Sequence, residues 1–232
     1  MTESEYWNHF KQIANDIDEA LAVFHAQEEI HRLAREDGRV RRCLEADAPF
    51  WNMQVGSLQS TLFMILGRLF DSTKGTLSVS RFLDETAKYL GYFSKQALED
   101  RKTAGGPRPD WLDDRIAEAW PPDRAALAKL KEALQPHEER AGVYRQIRNQ
   151  HYAHRPLEDA RLAVWDLFQR TNKKELSETL RFLCDLKAAI WRLYYNGKEP
   201  NLDESWREYD AEAVRESVRS VLSKLTAASA AS

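Results

Sequence analysis

Cysteine is scarce in this chain: Cys43 and Cys184 are the only two, far apart and in no paired motif. This excludes a disulfide-stapled scaffold and argues against a zinc site; free thiols in a reducing cytoplasm are expected. Long hydrophobic runs are missing as well. The most apolar stretch, Leu62 to Leu66, is far shorter than the roughly 20 residues that cross a bilayer, so no membrane partner is expected. The opening Met1-Thr2-Glu3-Ser4-Glu5 is acidic and has no signal-peptide pattern. Charge of one sign is also lacking: 34 basic against 37 acidic residues leave a net −3, so the molecule is no general coat for nucleic acid and any RNA contact must be local. Strand-like alternation is short everywhere, and no internal repeat is present.

What the chain does have is helical periodicity, punctuated by nine glycines and eight prolines. Thr2 and Glu5 have capping-box spacing, and Tyr6, Phe10, Ile13, Ile17, Ala20 and Phe24 follow at steps of four and three, which predicts a helix over 3–35 stopped near Gly38. Arg39, Arg41 and Arg42 then read as a solvated turn, with a flank of an RNA groove as the sharper alternative. Asp47 and Pro49 start a second helix, 48–71, apolar on nearly every side and so expected to be central. Gly56 and Gly67 allow close helix approach, and Arg68 and Asp71 near its end read as structural charges paired with each other, with a supporting role in the site as the lesser alternative. Ser78 caps a third helix reaching Ala97; residues 101–110 are a loop, and Trp111 to Trp120 a short amphipathic piece. Asp123 caps a helix that Pro136 is expected to kink or break. A short helix near 162–168, a capped helix from Asn172 to Asn196-Gly197 and a terminal helix over Ala213–Leu225 complete the pattern. The expected fold is an all-α bundle of four to five main helices with short extra ones. Residues 1–200 form the bundle; 201–232 form a C-terminal helix and a short disordered tail, the helix packing on the bundle or serving a dimer contact.

One window departs from the mixed charge of the rest. Residues 140–155 carry Arg140, Arg145, Arg148, Arg155, His151 and His154 and no acid, which makes a local positive field. On a straight helix Arg148 and His154 lie about 120° apart around the axis and about 9 Å along it. They meet at one point only if the helix ends or bends near Ala153, or if a second copy completes the site. Pro156 supports an end at Arg155, placing His154 in the last turn, where the helix dipole favours an imidazolium.

Arg148-Asn149, four residues and His154 resemble the ribonuclease signature of the HEPN superfamily. Arg148-Asn149-Gln150-His151-Tyr152-Ala153-His154-Arg155, with Leu66-Gly67-Arg68-Leu69-Phe70-Asp71 and Leu77-Ser78-Val79 upstream, is similar to its abortive-infection, AbiU-like branch, over about residues 5–196. Arg145 and His151 share the spacing, but Gln146 follows that arginine. The resemblance implies a symmetric homodimer whose two Arg–His motifs face one cleft, and a toxin that cleaves RNA in a cell under phage attack. A nucleotidyltransferase-type antitoxin is the silencing partner it points to, although many relatives stand alone.

RNA cleavage needs a base, a cation and no metal or other cofactor. His154 can move the proton of the ribose 2′-hydroxyl, Arg148 can grip the phosphate oxygens, and Asn149 can orient either by hydrogen bonding. Arg145, His151 and Arg155 are the candidates for binding the RNA backbone. The same residues also admit a plainer role. Val143, Ile147, Gln150 and His154 fall at interior spacing, and four arginines on one helix suit acids elsewhere. The alternative is therefore a non-catalytic helical module that docks an acidic partner or only binds RNA.

Overall fold

The first helix is the longest among the described residues. In the computed structural model, which describes residues 1–121, 123–149, 171–202 and 211–230, α1 spans Glu3–Glu36. Its capping box is closed: Glu5 N–H donates to Thr2 Oγ1 at 3.2 Å and Thr2 N–H to Glu5 Oε2 at 2.6 Å. Hydrogen bonding to Thr2 holds the Glu5 carboxyl below its ordinary pKa. Tyr6, Phe10, Ile13, Ile17 and Ala20 form the buried stripe that the spacing predicts.

Every element among the described residues is helical: α2 Gly38–Ala46, α3 Ala48–Leu69, α4 Val79–Lys88, a 3-10 turn Leu90–Phe93, α5 Lys95–Thr103, α6 Leu112–Glu118, α7 Arg124–Ile147, α8 Lys173–Asn196 and α9 Ala211–Ala230. The protein is an all-α bundle. α3 packs on α1 and α7, α8 lies against α1, and α4 covers α7. Leu66, Leu134, Ile147, Leu183 and Leu193, all fully buried, are among the residues that form the main core. A smaller cluster, Ile30, Val40 and Leu222 with Trp51 and Val55, joins α9 and α2 to the far end of α1. The terminal helix is thus packed on the bundle. Among the described residues no helix is long and apolar enough to cross a membrane.

Several local expectations change. The arginine-rich turn is the helix α2, because Asp37 closes α1 and also caps α2, accepting from Arg39 N–H at 2.8 Å. Asp47 makes no side-chain cap; Pro49 in the first turn is what starts α3. α3 is central only in its second half, since Phe50 and Met53 remain more than half exposed. The third expected helix divides at Tyr89 into α4, the 3-10 turn and α5, whose cap Ser94 accepts from Ala97 N–H at 3.1 Å. Pro136 does not end α7, because Leu134 and Ala141 on either side of it are fully buried and hold the helix in place. The expected helix near 162–168 lies outside the described residues.

Candidate active site

The site begins where two helix ends meet. The last carbonyls of a helix have no partner within it. At the end of α3 the Asp71 N–H bonds to Arg68 O, so Gly67 O is released from the usual ladder. Arg148, just past the end of α7, supplies the missing donor. Its Nη1 donates to Gly67 O at 2.8 Å and to Asp71 Oδ2 at 3.0 Å, and its Nε donates to Asn149 Oδ1 at 3.0 Å. Gly67 permits this approach, because a Cβ there would sit 2.8 Å from Arg148 Cδ. Behind the arginine, Ile147 and Tyr144 anchor α7 in the core, and burial pushes the Tyr144 phenol up to about 12.

Asp71 and Arg148 are both largely shielded, with side chains 13% and 17% exposed. Burial alone would raise the Asp71 carboxyl. The hydrogen bonds from Thr73 and the Arg148 guanidinium outweigh it, and the group stays below the ordinary aspartate pKa. The Asp71 carboxyl is therefore ionised at neutral pH. Arg68 does not pair with Asp71, as its sequence position suggests. It reaches across to α1 and grips Asp16 with two bonds, 2.7 and 2.5 Å.

Of the other sequence candidates, Arg145 lies beside the same corner, its Nη1 donating to Ser72 Oγ at 2.8 Å. Arg140 is an ordinary surface pair with Glu178. Asn149 is in the site, through its bond to Arg148. His151, His154 and Arg155 lie outside the described residues. Arg148 and Asn149 have wider, π-helical geometry, a form that often marks functional sites, and the helix end expected at Arg155 lies outside the described residues. The arginines of α2 are remote, since α3 alone separates its first residues from Gly67 by about 30 Å. Gly67 allows the close approach that the sequence suggests, Asp71 takes the lesser of its two sequence readings, and Ser72 is the contributor that the sequence does not single out.

The family model of AbiU2, a HEPN family, matches residues 4–219. The chain belongs to the AbiU2 family of HEPN domains. No curated protein and no solved structure matches it. In this HEPN domain the arginine of the motif is held on three sides, and among the described residues nothing takes its Nη2. Among the described residues nothing takes the amide N–H groups of Asn149, whose Oδ1 is occupied. The corner thus offers a fixed cation and two sets of donors, a chemistry suited to phosphate oxygens. Two of the described histidines, His137 and His9, serve elsewhere. His137 stacks on Phe182 at 4.2 Å and bonds Thr179, and burial lowers its pKa; His9 pairs with Glu85.

Proposed function

We propose that this HEPN domain is a metal-independent endoribonuclease acting as a toxin in abortive infection. His154 takes the proton of the ribose 2′-hydroxyl. The 2′-oxygen attacks the adjacent phosphorus, the bond to the 5′-oxygen breaks, and a proton returned by the same ring leaves with the 5′-hydroxyl product. Arg148 stabilises the charge gathered on the phosphorane oxygens, and Asn149 orients the phosphate. Arg145, His151 and Arg155 hold the RNA backbone. The observation that carries this reading is the fixed guanidinium of Arg148 with Nη2 unclaimed among the described residues.

A second copy of the chain is the proposed partner, the RNA lying in a cleft between the two. The outward stripe of α3, Phe50, Met53, Ser57 and Met64, supports a pairing surface: it is exposed, and Arg68 beyond it is the helix's single charge. The Ser57 hydroxyl is already bonded to Met53 O at 2.8 Å, so it can be dehydrated at little cost. A nucleotidyltransferase-type antitoxin is the proposed silencing partner, and the cytoplasm the proposed place of action.

The test is cleavage of single-stranded RNA in excess chelator, by wild type and by Arg148→Ala and His154→Ala. Wild type should cut, each variant should lose about 100-fold or more, and RNA with 2′-deoxyribose at the cut should resist. Cutting that survives loss of His154, or that needs added magnesium, defeats the mechanism. One observation favours a second reading, a non-catalytic module: Arg148 also caps α3, which is a structural role. That reading expects His154→Ala to leave the biological effect intact.

A further inference from the structure

We propose that Asp71 is the positioning residue of the site: it fixes the plane of the Arg148 guanidinium before RNA arrives, so that Nη2 meets the scissile phosphate in one orientation. The inference rests on the ribonuclease reading and adds to it a residue outside the Arg–His motif.

Three observations carry it. The first is the number of constraints. An arginine side chain is long and rich in rotamers, but its guanidinium is planar and its donors lie in a rigid fork. Gly67 O and Asp71 Oδ2 on Nη1, and Asn149 Oδ1 on Nε, together leave the plane little freedom to turn. The second is the anchoring of the carboxylate. Asp71 Oδ1 accepts from Thr73 N–H at 2.8 Å, so the acid is itself held by the turn after α3. The third is the electrostatic cost. A carboxylate 3.0 Å from Nη1 repels an incoming phosphate, and an acid there weakens ground-state RNA binding. Helix capping alone does not require it, since Gly67 O already receives Nη1. What the acid adds is orientation that is in place before the transition state forms.

Asp71→Asn removes the charge at constant shape. The expected result is a kcat about tenfold or more lower, with KM unchanged or lower, because repulsion is relieved while orientation is lost. Tighter binding of uncleavable 2′-deoxy RNA should accompany it. In an Arg148→Ala background the same change should add no further loss. Gly67→Ala, whose new Cβ would press on Arg148, should give the same kcat defect without touching the acid. Were Asp71→Asn to misfold, Gly67→Ala and Asp71→Glu would carry the comparison.

A loss shared equally between kcat and the folded fraction, an unchanged kcat, or full additivity with Arg148→Ala would overturn the positioning role. A nitrogen NMR spectrum of the arginine side chains separates this outcome from failure of the enzyme reading. An Arg148 guanidinium that rotates freely in an RNA-cleaving wild type removes Asp71 alone. One that is held in a wild type leaving RNA intact removes the ribonuclease, and the proposal with it.

Discussion

Arg68 and Asp71 are three positions apart, a spacing at which opposite charges on a helix pair readily. Instead each serves a partner distant in sequence: Asp16 is 52 positions from Arg68, and Arg148 is 77 from Asp71. Sequence periodicity carries no information about such distances, which is why the arginine of the site was legible and its acid only as the lesser of two readings. Local signals fare better. Asn196-Gly197 reads as a helix end, and Gly197 has the left-handed φ of 59° that the end requires. A Cβ there would also lie 2.8 Å from both Ala119 Cβ and Leu98 Cδ2. Gly197→Ala should therefore lower unfolding stability by about 2 kcal/mol, read by chemical denaturation, through both strain and overpacking. A change within a few tenths would mean that the α6 end and α5 move aside freely.

At the scale of elements, the periodic helices were readable and their interruptions were not. α1 and α8 keep their expected limits because stripe, cap and stop agree. Pro136 fails as a breaker because one lost backbone bond weighs less than the burial of Leu130, Leu134 and Ala141 along the same helix. Beside the apolar cluster around Leu222, one acid ties α9 to α1. Glu29, 2% exposed, receives Arg32 from its own helix and Arg219 from α9. The hydrogen bonds from Arg32 lead the causes that pull its carboxyl down to about 2. A depressed carboxylate stabilises the fold fully above its ordinary pKa of 4.5, and this stabilisation is lost as pH falls from there towards 2. Glu29→Gln should cost about 2 kcal/mol at neutral pH and flatten the acid limb of the stability curve between pH 4.5 and 2. The half-exposed arginines keep the cost below that of a fully buried pair. Retention of the wild-type acid limb in the variant would contradict this assignment.

For the whole molecule, composition and periodicity were enough to give an all-helical bundle, and the motif enough to give its family. The division of α3 was hidden, because apolar residues on every side of a helix look alike whether they meet a core or face outward. If the outward stripe is the pairing surface, Phe50→Glu with Met53→Glu should convert a dimer to a monomer in light scattering while leaving the helical content unchanged. A wild type that is monomeric at tens of micromolar would refute the pairing.

The site unites residues from both sides of the middle of the chain: Asp71 lies before it and Arg148 after it. A ribosome making this protein therefore releases Gly67 and Asp71 long before the arginine they receive. Until α7 has emerged and packed, the growing polypeptide has no assembled centre, and on the proposed ribonuclease reading the machinery translating it is spared.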